Sequence, residues 1–287
     1  MSEPASTSES RRRWWGYIAM PLGVAVAITI GALGFFGEFS SRNVEYTIAG
    51  STSPSDGAVT VQVTVQRIEA AAREMVLQVL VIPTGSLTDN GDPLQPSKDL
   101  VLDTSSLITA PLTFKAHDRI TAKELRVPLD GVVSFYPFDT YHADLYVGLD
   151  AAGVPAPVQL TVTDHDPGFV SQPVSQQAGD GYVTAELQVQ RSRSTFILGW
   201  FQVIVMWSLG LSVLAGALHI VRRRLGLVWP AMGWMAATLF ALVGFRNAAP
   251  GLPPIGSLID YCAFFWAEAI ITLSLVLVTV QGLRKRE

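Results

Sequence analysis

FRNAAPGLPPIGSLID, residues Phe245–Asp260, interrupts an otherwise apolar C-terminal third. Four of the five residues in Pro250–Pro254 are proline or glycine. Continuous helix is impossible there, because proline has no N–H to donate and glycine is entropically costly to order. A chain that leaves a bilayer here re-enters at once, so the helices on either side are predicted to lie against each other. Any signal between a polar domain and the membrane is expected to pass through this connector.

Outward from it lie Leu227–Phe245 on one side and Leu258–Leu283 on the other; Phe196–Val221 precedes both, and Trp14–Phe36 lies near the N-terminus. A bilayer core of about 30 Å takes roughly 20 helical residues, so all four runs are predicted to span, Leu227–Phe245 barely. Trp14–Phe36 is 23 residues without a charge and ends in GFFGEF. Bulky residues where a leader needs small ones favour an uncleaved signal-anchor over a cleaved signal peptide. Residues 1–13 are polar and Ser/Glu-rich, a composition expected to stay disordered. Trp200, Trp207, Trp229, Trp234 and Trp266 are spread among the later runs, several near their ends, where aromatic belts form.

The charges orient these helices. Of the 20 Lys and Arg, ten lie in Arg11–Arg13, Arg222–Arg224, Arg284–Arg286 and lone Arg246, and the three clusters each adjoin an apolar run. That is a membrane-topology pattern and not a nucleic-acid patch. With Arg11–Arg13 inside, alternating helices put all three clusters on the cytoplasmic face, with both termini. Residues 44–193 and the connector 246–257 then face outward, and 284–287 form a cytoplasmic tail. Between Glu38 and Thr195 there are 19 acidic residues against ten basic ones. The single cysteine, Cys262, excludes a disulfide within the chain.

From Val44 to Gln190 the period changes to two. Val59, Val61, Val63 and Val65 alternate with Thr60, Gln62, Thr64 and Gln66, as half-buried strands do. Ala143–Leu149, Val158–Val162 and Val183–Val189 alternate likewise, and Met75–Ile82 is a continuous apolar run ended by Pro83. Weaker strands are expected at Val44–Ala49, Leu100–Asp103, Pro111–Phe114 and Leu125–Leu129. Ile68–Glu74 (IEAAARE) is the one helix-like piece. Eight or nine short strands in about 150 residues predict an antiparallel β-sandwich of Ig-like type. The expected fold is thus a membrane α+β protein: this extracytoplasmic sandwich with one N-terminal and three C-terminal transmembrane helices.

YPFDTYHADL at Tyr136–Leu145 and RNAAPGLPPIGSLIDYCAFFWAE at Arg246–Glu268 resemble the family known as domain of unknown function 4436, over most of Val44–Val280. Its members are small multi-pass membrane proteins common in actinobacteria, and the resemblance implies no activity. VTVQRIEAAAREMVLQVLVIP at Val63–Pro83 and YPFD at Tyr136–Asp139 also resemble pentameric ligand-gated ion channels. That second resemblance implies a junction in which Tyr136, Pro137, Phe138 and Asp139 sit at the bottom of the sandwich. There they would meet an arginine before the membrane, Arg191 or Arg193, and the connector carrying Arg246, Pro253 and Pro254. The chain differs from the channels in the apolar run ahead of the sandwich and in ending its last run at Leu283. Its candidate pore helix, Leu227–Phe245, offers Thr238 as the only hydroxyl, where a wet pore takes polar or small lining residues.

Asp139 has two readings, a junction partner or the cap of a tight turn. Glu268, near the middle of the last run, is either a functional intramembrane group or a neutral carboxyl bonded to Thr238 or Thr272. His117, His142, His165 and their aspartates lack zinc or calcium spacing, and Asp164–His165–Asp166 reads as a solvated turn. No nucleophile elbow, phosphate loop or nucleotide fingerprint is present, so neither a catalytic residue nor a cofactor is expected. The function expected is a non-enzymatic envelope binding or scaffold subunit. Its partners would be the lipid bilayer and a homo-oligomer or envelope proteins, with no nucleic acid. The alternatives are a divergent ligand-gated channel, then an envelope enzyme or transporter accessory.

Overall fold

The computed structural model describes residues 29, 31–33, 45–48, 57–106, 111–226 and 228–284. The chain divides into two units, Met1–Ser41 and Arg42–Glu287. In the first, Thr29 and residues 31–33 are helical. The rest of the expected signal-anchor 14–36, the tail 1–13 and residues 285–287 lie outside the described residues.

The second unit begins with β1 (Glu45–Ile48), β2 (Val59–Glu69), β3 (Glu74–Pro83), β4 (Thr88–Asp89) and β5 (Asp92–Pro96). There follow β6 (Leu100–Thr104), β7 (Leu112–Phe114), β8 (Lys123–Pro128), β9 (Asp130–Gly131) and β10 (Thr140–Ala151). The last are β11 (Val154–Pro155), β12 (Val158–Asp164), β13 (Phe169–Gly179) and β14 (Tyr182–Arg191). One sheet runs β1-β12-β2-β3-β8 and a second runs β13-β14-β10-β6-β7, with β9 and β11 also pairing β10. Val61 and Leu77 of the first sheet and Leu145 and Leu187 of the second bury in one apolar core. Alternation thus places the core side of each strand as the valine periodicity predicts.

Three expectations need correction. The first sheet is mixed, not antiparallel, because β12 pairs β2 in parallel from Val158↔Val59 to Asp164↔Val65. Ile68–Glu74 is not helical: β2 runs to Glu69, a four-residue turn follows with Arg73 at φ 58°, and β3 starts at Glu74. Cross-strand pairing of Ile68 with Met75 overrides the helix propensity of three alanines. Finally, β13 (FVSQPVSQQAG) is not expected from the sequence, because Gln172, Ser175, Gln176 and Gln177 face solvent and a bulge at Pro173/Ser175 breaks the period.

Three helices follow: α1 (Arg193–Arg222), α2 (Trp229–Asn247) and α3 (Phe265–Arg284), the last entered through a π-turn at Asp260–Phe264. α1 and the π-turn with α3 are long and apolar enough to cross a membrane. α2, with 19 residues, is not among them; its WPAMGW start and Arg246 dilute its apolar length. α1 and α3 approach so closely that a Cβ on Gly210 would lie 3.3 Å from Ala267 Cα. α2 is seated by one buried stripe, Met235, Thr238, Leu242 and Arg246. At the π-turn, Trp207 Nε1 of α1 donates to Cys262 O at 3.1 Å. At the far end Gln281 Nε2 donates to Val221 O at 3.0 Å.

Candidate functional site at the domain–helix junction

β14 delivers the chain directly into α1. Arg191 is the last strand residue, and Ser192 caps the helix by accepting from Thr195 N at 3.3 Å. Arg191 points inward. Its Nε donates to Asp139 Oδ1 and Oδ2 at 3.1 and 3.0 Å, and its Nη2 to Oδ2 at 2.9 Å. The two side chains are 2% and 0% exposed. Rings cover the guanidinium, with Cζ 4.2 Å from the Phe169 centroid and 5.0 Å from that of Tyr136. Tyr141 Oη donates a further 2.6 Å bond to Asp139 Oδ2. Asp139 is therefore an ion-pair partner, and Arg193, exposed at the start of α1, is not.

The connector reaches the same arginine. A Cβ on Gly251, which sits at φ 73°, would fall on Arg191 Nη1. Only glycine allows both that backbone conformation and that approach. Within the connector Arg246 is 6% and Asp260 0% exposed by side chain. Arg246 Nε and Nη2 donate to Asp260 Oδ1 and Oδ2, each at 2.7 Å. Its remaining donors satisfy Pro253 O at 3.0 Å and Pro254 O at 2.9 Å. Asp260 Oδ2 also accepts from Gly256 N at 2.7 Å and Ser257 N at 3.2 Å. Each charge is matched by an opposite charge and by further hydrogen bonds, the condition under which burial is tolerated.

Pro137 and Phe138 complete the contact with α1. Pro137 follows a cis bond and lies 3.3 Å from where a Cβ on Gly199 would stand. The Phe138 ring meets Phe196 edge-on at 5.3 Å and Trp200 at 6.4 Å. Burial pushes the Tyr136 hydroxyl up to about 12, against the lowering charge of Arg191. Burial also raises Tyr141, helped by its bond to Asp139. An apolar cavity of about 60 Å³ separates Tyr136 and Phe138 from Val203 and Ile259.

Of the residues expected to meet, Asp139 and Arg191 pair with each other and the connector reaches Arg191 through Gly251, whereas Arg246 bonds within the connector, to Asp260 and to the Pro253 and Pro254 carbonyls. Glu268 stands apart: it is half-buried on α3 with no side-chain hydrogen bond or ion pair among the described residues. Thr238, one of its expected partners, instead donates to Trp234 O in its own helix at 2.9 Å. Asp164–His165–Asp166 is a tied turn and not a solvated one. Asp164 accepts from Ser171 N and Asp166 from Ile68 N, each at 2.6 Å, and burial raises both carboxyls. Tyr141, Phe169, Gly251 and Asp260 were missed as site members. Asp260 had one signal, as the sole carboxylate of its proline-rich stretch.

Residues 48–190 match the family described as domain of unknown function 4436, and residues 191–285 match a second one, domain of unknown function 8686. No curated protein matches the chain. The two matched segments meet at Arg191, the residue through which the β domain and the helices are joined. The chain thus carries two domains of unknown function in tandem, the 4436 model matching its β domain and the 8686 model its helices.

Proposed function

We infer that this is a multi-pass membrane protein that holds a β-sandwich on the outer face of a bacterial inner membrane as a non-enzymatic binding or scaffold subunit. The observation that carries this reading is the Asp139–Arg191 pair set against Gly251. Its groups are spent on holding a sheet-rich domain against the connector between helix ends. Orientation is supported by the helix ends: α1 and α3 both start at the junction, and Arg222 and Arg284 close them at the remote end. The third span is α2, short and packed by one stripe onto the two longer ones.

Single-cysteine labelling tests this. In a Cys262→Ser background, an impermeant maleimide on spheroplasts should label Lys98→Cys and spare Arg223→Cys until the membrane is opened. The reverse pattern would overturn the orientation.

A divergent ligand-gated channel is the second reading. The convergence of Tyr136–Asp139, Arg191 and the 246–260 connector favours it, being the contact set that the channel resemblance implies. Native mass spectrometry separates the two. A five-fold assembly of the 31.0 kDa chain with bilayer conductance supports the channel, and a monomer or a complex with other chains supports the scaffold.

A further inference from the structure

The outer face of the second sheet carries a shelf that the junction does not use. Leu145, Val147, Ala185 and Leu187 turn into the core, so Asp144, Tyr146, Thr184 and Glu186 turn outward. The register builds the shelf in rows across β13, β14 and β10. Gly179, Tyr182 and Gly148 form the first, then Gln177, Thr184 and Tyr146, then Ser175, Glu186 and Asp144. Between the last two rows lies an open groove of about 400 Å³, edged by Ser105.

Both rings of this shelf lie down over glycine. A Cβ on Gly148 would come within 2.6 Å of Tyr146 Oη, and one on Gly179 within 2.6 Å of Tyr182 Cζ. The rings are tilted by only 25°, with centroids 6.2 Å apart, so together they form a platform and not a box. Beside it, Asp144 and Glu186 stand directly opposite each other, a like-charge pairing that costs stability in a sheet. Glu186 is compensated by His142 Nδ1 at 3.1 Å and Ser175 Oγ at 3.2 Å. Asp144 is exposed and has no hydrogen bond or ion pair among the described residues.

We propose that this groove binds a neutral saccharide. A pyranose presents C–H groups to an aromatic platform and vicinal hydroxyls to a carboxylate and an amide; Tyr146, Asp144 and Gln177 line the groove, and Tyr182, outside its lining, extends the platform from Tyr146. The uncompensated carboxylate excludes acidic sugars. The flat rings and the surplus of hydroxyl and amide groups suit a polyol better than a cation, for which an enclosing cage is the better host. Tyr182 lies nine residues before Arg191 along β14, about 30 Å at strand rise, well clear of the helix ends. The proposal gives the binding role above a ligand class and rests on that reading. Its test uses purified protein, so a failed topology result and a failed binding result stay distinct.

Full-length protein in lipid nanodiscs, free of sugar detergents, would be titrated calorimetrically with chitotetraose, maltotetraose, tetragalacturonic acid and tetralysine. Binding of a neutral tetrasaccharide should weaken about tenfold in Tyr182→Ala and persist in Tyr182→Phe. Asp144→Asn, an exposed change that leaves the fold intact, should weaken it about fivefold and admit the acidic sugar. No binding by either neutral sugar, binding indifferent to all three variants, or binding of tetralysine alone would overturn the proposal.

Discussion

The two buried arginine–aspartate pairs at the junction look alike and do different work. Arg246–Asp260 is local: 14 residues apart, it closes its own connector, and every arm of the arginine has an acceptor. Arg191–Asp139 is remote: 52 residues apart, it ties the end of β14 to the loop leading into β10, and among the described residues Nη1 has no acceptor where it lies against Gly251. A saturated pair fixes the shape of a loop. An unsaturated one, held between rings, lies directly against that loop. Coupling between the domain and the helices is therefore predicted to depend on the remote pair, with the local pair keeping the surface it presses on in place.

This contrast orders the effects of breaking it. Asp139→Ala should cost most, about 3–5 kcal/mol, because it leaves a buried guanidinium with ring faces alone and strands the Tyr141 hydroxyl. A drop in the thermal midpoint of the solubilised protein reads this. Asp260→Ala should cost less, about 2–3 kcal/mol, since Arg246 keeps the Pro253 and Pro254 carbonyls. Equal losses from the two would erase the distinction. Gly251→Ala follows at about 1–2 kcal/mol, combining a left-handed backbone with displacement of Arg191. The double variant Asp139→Leu/Arg191→Met sharpens the point: its stability should lie within about 1.5 kcal/mol of the wild type, yet the link to the connector is lost. Arg193→Ala should be the smallest, below about 0.5 kcal/mol, as for an exposed residue.

The sequence reveals what is local. Valine alternation places β2, β10, β12 and β14 on their correct faces, and the proline cluster places the connector between two helices. YPFD and Arg246 mark the junction because their residue types are out of keeping with their surroundings. Arg191 and Arg193 could not be told apart, since the choice turns on where β14 ends and Ser192 caps α1. A shift of two residues along a strand keeps the same face. The parallel pairing of β12 with β2 joins segments about 100 residues apart and leaves no trace in the period of either. The polar strand β13 escaped notice because its stability comes from backbone pairing with β14 and not from an apolar face of its own. Asp260 lay within the quoted connector, but its role emerges only when Arg246 folds back over 14 residues.

Hydrogen–deuterium exchange on Asp139→Ala in nanodiscs tests the coupling most directly. Faster exchange should appear at residues 136–141 and also across the connector, residues 248–259, with the far ends of α1 and α3 unchanged. Acceleration confined to the β domain, with the connector as protected as in the wild type, would contradict the claim that the remote pair joins the two.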